Sequence, residues 1–204
     1  MKKTIKKVLL LTPNNTVEKE CIRRVVTPLG ILYVGAVLEK EGYKVSIIDS
    51  HCEGYDNVIL RGEYATYGLS NAQIEQRIKK ERPDIVGITC PFSYLEKEIY
   101  KLCEIIKSID KNIITLTGGI HPSYVPGKML KECRELDFVI IKEGEYRTLN
   151  LLKAINEGKS YEEQEGLAFK KNGKIKANPP TSFIENIDEL PFPARHLIDM
   201  EKYI

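Results

Sequence analysis

Short apolar runs alternate along most of the chain with longer segments in which apolar and polar residues mix. Continuous apolar runs of this length are typical of strands that are covered on both faces of a sheet. We predict five such strands, at Lys7–Thr12, Lys44–Asp49, 84–90, 112–117 and 137–141.

The segments between the strands carry helix signals. Thr27 is placed to cap the first helix with Pro28 at its first position, and apolar residues lie nearly all round that helix, so we expect it to be well buried. Ser70 and Gln73 have the spacing of a capping box. The predicted helices span residues 28–41, 70–82, 94–110, 128–135 and 144–158. This alternation predicts an α/β fold with a doubly wound, five-stranded parallel sheet and helices on both faces.

The pattern changes after residue 158. Asn172-Gly173 stands between two strand-like runs, which is a signal for a type I′ hairpin, and a proline-rich stretch follows that is typical of an extended linker. We therefore predict a domain of residues 1–158, a C-terminal β-hairpin extension of residues 159–180 and a linker of residues 181–204.

The composition is that of a globular protein. Hydrophobic residues make up 42% of the 204 residues and charged residues 29%. The 31 basic and 29 acidic residues are interspersed, which gives no basic footprint for nucleic acid. No run approaches a membrane span, and the basic N-terminus lacks a signal-peptide core. We predict a cytoplasmic protein that binds neither nucleic acid nor membrane.

The cysteines are scattered and odd in number, which favours reduced thiols over a disulfide framework. They lack the spacing of a zinc or iron–sulfur motif, so we expect no such site within this chain. The five cysteines are Cys21, Cys52, Cys90, Cys103 and Cys133.

Ligands of doubly wound sheets bind at the carboxyl ends of the strands. The first such loop lacks G-x-G-x-x-G, which weakens a dinucleotide interpretation, and it lacks the acidic pair that holds Mg²⁺ in a receiver domain. Lys142 resembles the receiver lysine, but Cys90 stands where the phosphorylated aspartate would be. The candidate loops are residues 12–15, 49–54, 90–93, 118–123 and 142–145.

Several residues in these loops allow two interpretations. Gly118-Gly119 could admit a ligand close to the backbone or simply form a tight turn, and His121 could be a site residue or a surface residue. The carboxylates beside Gly144 would be favoured in a first helical turn without any catalytic role. Tyr64 and Tyr67, in a long predicted loop, could cover a ligand.

The segments "TPLGILYVGAVLEKEGYKVSIID", "RPDIVGITC", "TLTGGIHPSYVP", "VIIKEGEYRTL" and "IDELPFPARHLID" occur in this order along the chain. As an ordered set they resemble the N-terminal cobalamin-binding domain of the cobalamin-dependent radical SAM proteins. The resemblance implies a flavodoxin-like, Rossmann-like sheet with the corrin ring over the carboxyl ends of the strands and the nucleotide tail running into the domain. In that family the Leu-Pro-Phe-Pro linker leads into a radical SAM barrel with a C-x-x-x-C-x-x-C motif, and this chain contains no such motif.

Carried onto this sequence, the resemblance implies cofactor contacts from the loops after the strands and from the start of the first helix. The family usually has Gly-Glu-Gly-Glu in the last of these loops. Here Lys142 takes the first position, where it could obstruct the pocket or point to solvent. The implied cofactor-binding residues are Thr12, Pro13, Asn14, Pro28, Leu29, Gly30, Asp49, Cys90, Pro91, Phe92, Ser93, Gly118, Gly119, His121, Gly144 and Glu145.

Asp49, His51 and Gly54 match the motif D-x-H-x-x-G. In cobalamin domains of the methionine-synthase and mutase type, this motif follows the first strand and its histidine coordinates cobalt. Here it follows the second predicted strand. We therefore predict that His51 is not a metal ligand, and that cobalamin binds base-off without a protein histidine on cobalt.

The resemblance implies a cobalamin-binding module of a radical SAM enzyme that catalyses methyl transfer or a rearrangement. S-adenosylmethionine and a [4Fe-4S] cluster would belong to a C-terminal radical SAM domain that is absent from this chain. We expect this chain alone not to catalyse the reaction. Two alternatives are a stand-alone cobalamin sensor and a degenerate scaffold that has lost cobalamin. The isolated module could also form a homodimer through exposed apolar residues of the linker. These residues are Phe183, Leu190, Phe192 and Leu197.

Overall fold

The structure is a computed structural model that describes residues 4–203. Its strands are β1 (Lys7–Thr12), β2 (Asn15–Glu18), β3 (Lys44–Asp49), β4 (Val58–Arg61), β5 (Tyr64–Tyr67), β6 (Ile85–Thr89), β7 (Ile114–Gly118), β8 (Phe138–Ile140), β9 (Leu167–Lys171) and β10 (Lys174–Asn178). Its helices are α1 (Leu29–Lys40), α2 (Ser50–Glu53), α3 (Asn71–Glu81), α4 (Glu96–Ile109), α5 (Ile120–Tyr124), α6 (Pro126–Glu132) and α7 (Glu145–Glu157).

The main sheet has the strand order β10-β9-β8-β7-β6-β1-β3. The strands from β3 to β8 pair in parallel, and β9 and β10 are antiparallel. The predicted α/β, doubly wound fold is therefore confirmed. The five predicted parallel strands are present, but the main sheet has seven strands, because the predicted hairpin joins it as β9 and β10 and pairs Leu167 of β9 with Ile140 of β8. That pairing covers the edge that β8 would otherwise expose.

Two apolar layers cover the main sheet, one on each face. Alternate residues of β1 serve both layers, since Leu9 and Leu11 pack towards α3, α4 and α6 while Val8 and Leu10 pack towards α1 and α7. This alternation follows from the twofold period of a strand. It explains why the parallel strands are continuous apolar runs in the sequence.

A second sheet, of order β2-β5-β4, lies where the sequence predicted only loops. The prediction failed because these strands are only four residues long and all four residues of β4 are exposed. Tyr64 and Tyr67 both belong to β5 rather than to a loop. Tyr67 is only 1% exposed, and its hydroxyl donates a hydrogen bond to the Arg24 carbonyl at 2.8 Å.

Two local signals are confirmed and one is wrong. Ser70 and Gln73 form the predicted capping box of α3, and Asn172 and Gly173 both have positive φ, 51° and 74°, as a type I′ turn requires. Thr27 does not cap the first helix. That helix begins at Leu29, with Pro28 in the capping position and no side-chain cap.

The C-terminal strap, residues 181–203, lies against the domain. Arg147 Nη2 donates to the Ser182 carbonyl at 2.6 Å, the Ala194 amide donates to the Leu32 carbonyl at 3.1 Å, and the Tyr203 hydroxyl donates to Asp49. Leu190 and Leu197 are partly buried against the core, so the prediction that they are exposed is wrong. Phe183 and Phe192 are exposed, as predicted.

Candidate functional site

A cavity of about 210 Å³ lies at the carboxyl ends of the parallel strands, between the main sheet and helices α1 and α7. We call it the sheet cavity. Doubly wound sheets bind ligands at this position. It lies next to the point between β1 and β6 where the connections that follow the strands switch from one face of the sheet to the other. Its apolar side chains are Leu10, Ile31, Val34, Ile88, Leu116 and Ile140.

Glycines create much of this space. A Cβ atom on Gly87, in the middle of β6, would lie 3.0 Å from Leu10 and 3.4 Å from Leu116, so the missing side chain leaves the floor of the cavity open. A Cβ atom on Gly30, in the first turn of α1, would meet no atom within 4 Å. At Gly119 a Cβ would lie 2.9 Å from the Cys90 carbonyl oxygen, and φ is +114°. Only glycine fits that turn.

The sheet cavity brings together five of the residues predicted for cofactor binding, namely Gly30, Gly118, Gly119, Gly144 and Glu145. Sequence reasoning missed the apolar floor and Gly87. A single glycine inside the apolar run of β6 was the available signal, because such a glycine often marks a close approach of another group. Thr89 and Thr148 also line the cavity and were not predicted, and Lys142 and Glu143 lie in the predicted loop 142–145 but were not among the predicted contacts.

Lys142 lines the sheet cavity, and its charge lies over a neighbouring aromatic ring. Its backbone is left-handed, with φ of 68°, and its amide donates to Ser123 Oγ at 2.7 Å. Its ammonium lies 4.8 Å from the centre of the exposed Tyr124 ring. The left-handed backbone explains why glycine suits this position.

The second group of predicted residues surrounds Asp49, which is 2% exposed at the end of β3. Its carboxylate accepts hydrogen bonds from Thr12 Oγ1 at 2.6 Å and from the Tyr203 hydroxyl. His51 Nδ1 lies 3.2 Å from Asp49 Oδ1 and 3.3 Å from the Pro13 carbonyl oxygen. Since both atoms are acceptors, they favour a proton on Nδ1.

Asn14 extends this group on its other side. Its side-chain oxygen accepts a hydrogen bond from Ser50 Oγ, and its amide nitrogen donates to the Leu69 carbonyl at 3.0 Å. Burial and the hydrogen bond to Asp49 raise the pKa of Tyr203, so the phenol stays protonated as a donor. These residues therefore form a hydrogen-bonded framework at the end of β1 and β3.

The loop after β6 carries a buried thiol and an exposed aromatic pair. Cys90 is fully buried, and burial raises the pKa of its thiol to about 12, so it stays neutral at physiological pH. Pro91 is half-buried, and Ser93 begins a short 3-10 turn. The Phe92 and Tyr94 rings stack with centres 5.5 Å apart, and each is more than half exposed.

His121 is paired with an acidic side chain of α4 and does not line the sheet cavity. Its Nε2 lies 2.7 Å from Glu96 Oε2, and its side chain is 11% exposed, which excludes the surface interpretation. Lys128 also binds Glu96. Burial by itself would raise the pKa of Glu96, but the hydrogen bonds from Lys128 and His121 outweigh it and hold that pKa below its ordinary value.

Within residues 4–203, no three His, Cys, Asp or Glu side chains are grouped as a metal site would require. Over the same residues, no helix has both the length and the apolar character needed to cross a membrane.

Comparison with known proteins identifies the family. The B12 binding domain matches residues 16–152. The chain is 33% identical over 98% of its length to "Uncharacterized methyltransferase PH0819" of Pyrococcus horikoshii, and 34% identical over 97% to cytidylyl-2-hydroxyethylphosphonate methyltransferase of Streptomyces wedmorensis. It covers 40% and 41% of those two proteins, so it spans about two fifths of their length.

Solved structures show the same fold. The radical S-adenosylmethionine methyltransferase TsrM of Kitasatospora setae, with cobalamin and a [4Fe-4S] cluster bound, superposes with a TM-score of 0.68 at 18% identity, over 93% of this chain and 31% of that one. The cobalamin-dependent radical enzyme OxsB, with aqua-cobalamin and S-adenosylmethionine bound, gives 0.70 at 22% identity, over 93% and 24%.

The family match covers more than half of the chain, and the resemblance inferred from the sequence is confirmed. This chain therefore belongs to the B12 binding domain family, as a domain similar to the cobalamin-binding domains of cobalamin-dependent radical SAM enzymes.

Proposed function

We propose that this chain binds cobalamin base-off, with the nucleotide base of the cofactor in the sheet cavity and the corrin ring over the carboxyl ends of the strands. The sheet cavity is the observation that carries the proposal. A cavity of about 150 Å³ accommodates a benzene ring, so one of about 210 Å³ with an apolar, glycine-lined wall suits a fused aromatic base.

Exposed apolar side chains at the same edge support the position of the corrin ring. Leu29 begins α1, and Phe92, Ile120 and Tyr124 follow β6 and β7; these side chains are 44%, 53%, 64% and 73% exposed. Leu29 and Ile120 are next in sequence to the lining residues Gly30 and Gly119, and parallel strands end at one edge, so these side chains belong to the same edge as the sheet cavity. A flat macrocycle would cover apolar surface that is otherwise exposed to water.

Position argues against His51 as a cobalt ligand. Its bond to Asp49 is of the kind that orients a ligating histidine, so the tautomer alone does not decide the matter. However, His51 follows β3 at the edge of the main sheet rather than β1, and packs edge-on against Tyr67 with ring centres 6.5 Å apart. The neutral thiol of Cys90 is equally unsuited to coordinate cobalt.

We further propose that the chain is the cobalamin-binding module of a longer radical SAM enzyme. Cobalamin supplies a cobalt centre that can carry a methyl group, and this chain binds and orients it. S-adenosylmethionine and the [4Fe-4S] cluster would belong to a following domain. The greater length of the relatives supports that arrangement. The names of two of them are methyltransferases, which favours methyl transfer over a rearrangement. Another relative is an anaerobic magnesium-protoporphyrin IX monomethyl ester cyclase, so ring formation is the second candidate reaction.

The first test is a visible-absorption titration of the purified chain with hydroxocobalamin and methylcobalamin, repeated with His51→Ala and His121→Ala. We expect saturable conversion to a base-off spectrum, with the same bound spectrum in both variants. A bound spectrum that changes in either variant would show that this histidine coordinates cobalt.

Gly30→Leu tests the sheet cavity itself. Gly30 lines the cavity and a Cβ atom there would meet no atom within 4 Å, so we expect the leucine variant to fold and to lose saturable binding of cobalamin. Gly127→Leu is the matched control, since Gly127 also lies in a helix, a Cβ atom there would meet no atom within 4 Å, and it does not line the cavity. A wild-type chain that is folded by circular dichroism but binds no cobalamin would instead support a degenerate scaffold.

A further inference from the structure

A second cavity, of about 360 Å³, lies between the three-stranded sheet and the first turns of α3 and α4. We call it the polar cavity. It shares no lining residue with the sheet cavity. One wall is the sheet face that carries Thr16, Thr66 and Arg61, and the other carries Asn71 of α3 and the N-terminal half of α4.

Positive charge enters the polar cavity from both walls. Arg61 comes from β4, and Lys97 and Lys101 come from α4, where a spacing of four residues puts them on the same helix face. Among residues 4–203, no carboxylate pairs with any of the three cations. Glu98 is the one acidic residue in the lining, so two net positive charges remain.

The walls of the polar cavity are fixed by hydrogen bonds. The Thr16 and Thr66 hydroxyls are hydrogen-bonded across the strands at 2.9 Å. The Tyr94 hydroxyl, in the 3-10 turn before α4, donates to Asn15 Oδ1 at 2.9 Å. Asn71, by contrast, has a side-chain amide without a partner in the described part of the chain. The cavity thus offers a rigid frame with free donors and free cations.

We propose that the polar cavity binds the phosphate group of a small phosphorylated metabolite. A phosphate monoester carries up to two negative charges near neutral pH, which matches the net charge of the lining, whereas a carboxylate carries one. The guanidinium of Arg61 can bind phosphate through paired donors, and the lysines act as point charges. The volume falls within the range of ligand pockets and leaves room for a small polar body beside the phosphate.

Calorimetric titration tests the proposal, with glycerol 3-phosphate, adenosine 5′-monophosphate and inorganic phosphate as ligands and with glycerol and adenosine as uncharged controls. We expect saturable binding of at least one monoester, tighter than that of inorganic phosphate. Equal or tighter binding of inorganic phosphate would identify free phosphate as the ligand and overturn the metabolite proposal, and so would the absence of any saturable binding.

The matched variants are Lys97→Ala/Lys101→Ala and Lys80→Ala/Lys131→Ala, which each remove two exposed lysines. We expect the first pair to weaken monoester binding by about tenfold or more and the second pair to leave it unchanged. Equal weakening by both pairs would show non-specific attraction to the positive surface and overturn the proposal.

Cobalamin has a phosphodiester of its own, so the same two variants are titrated with hydroxocobalamin. We expect cobalamin binding to be unchanged in both, because the two cavities share no residue. Loss of cobalamin affinity only in Lys97→Ala/Lys101→Ala would mean that the polar cavity serves the cofactor, and would overturn an independent metabolite site.

Discussion

At the scale of single residues, the candidate site depends on pairs that are far apart in the sequence. Glu96 orients His121 from another helix, and Tyr203 and Thr12 hold Asp49 from opposite ends of the chain. The residue types could be chosen from the sequence, because they follow strands whose carboxyl ends bind ligands. Their partners could not, because sequence spacing carries no information about contacts between distant segments.

Glu96→Gln should make the unfolding free energy of the protein less sensitive to low pH. The pKa of Glu96 is lower in the folded than in the unfolded state, so its ion pairs stabilise the fold above about pH 4.5 and this stability is lost as the pH falls through the folded pKa. We expect the variant to lose about 1 kcal/mol of unfolding free energy at neutral pH and to show a shallower decline between about pH 5 and pH 3.

Urea unfolding at a series of pH values checks this prediction. Glu104→Gln, also on α4, is the control, because Glu104 has no ion-pair partner within residues 4–203. Parallel stability curves for the wild type and Glu96→Gln would contradict it.

At the scale of elements, strongly patterned segments could be predicted and weakly patterned ones could not. The strand β3 begins and ends where the apolar run does, and the hairpin turn at Asn172 follows from its dipeptide. The strands β2, β4 and β5 are only four residues long and are stabilised by tertiary contacts, such as those of Tyr67, that their sequences do not show. The C-terminal strap resembles a linker in composition, yet its leucines pack on the core.

Tyr203→Phe tests whether the C-terminal strap is fastened at its end. The change removes one donor to the buried Asp49 carboxylate, so we expect a loss of about 1 to 2 kcal/mol in unfolding free energy and faster hydrogen exchange in the final turn, Met200–Tyr203. Hydrogen exchange by mass spectrometry measures both the global and the local effect. Tyr124→Phe is the control, because the Tyr124 hydroxyl has no partner in the described residues, and equal exchange in both variants would refute the role of Tyr203.

At the scale of the whole molecule, the order of the strands places the sheet cavity. The chain leaves β1 for α1 on one face and leaves β6 for α4 on the other, and a crevice forms where the two connections diverge. The edge of the sheet that carries the cavity could be predicted from the sequence, because the cavity lies at the carboxyl ends of the predicted strands. The depth of the cavity could not, since it depends on how Gly87 meets Leu10 and Leu116 across three strands.

Cobalamin should stabilise the whole domain against heat. A ligand present at about one hundred times its dissociation constant adds about 2.7 kcal/mol to the unfolding free energy, which for a domain of this size corresponds to a rise in Tm of about 5 to 10 °C. Circular dichroism with and without hydroxocobalamin measures the shift. We expect none in Gly30→Leu, and an equal shift in that variant would place the ligand outside the sheet cavity.

The hydrogen bond between Tyr203 and Asp49 has a consequence for assembly. It brings the end of the described chain back to the carboxyl end of β3, beside the edge where we propose that cobalamin lies. A domain joined there would be tethered next to the cofactor. Its local effective concentration would be in the millimolar range that short connections provide. Even a weak interface between that domain and this one would then be formed most of the time. The reacting groups could therefore meet although the two domains bind each other only weakly.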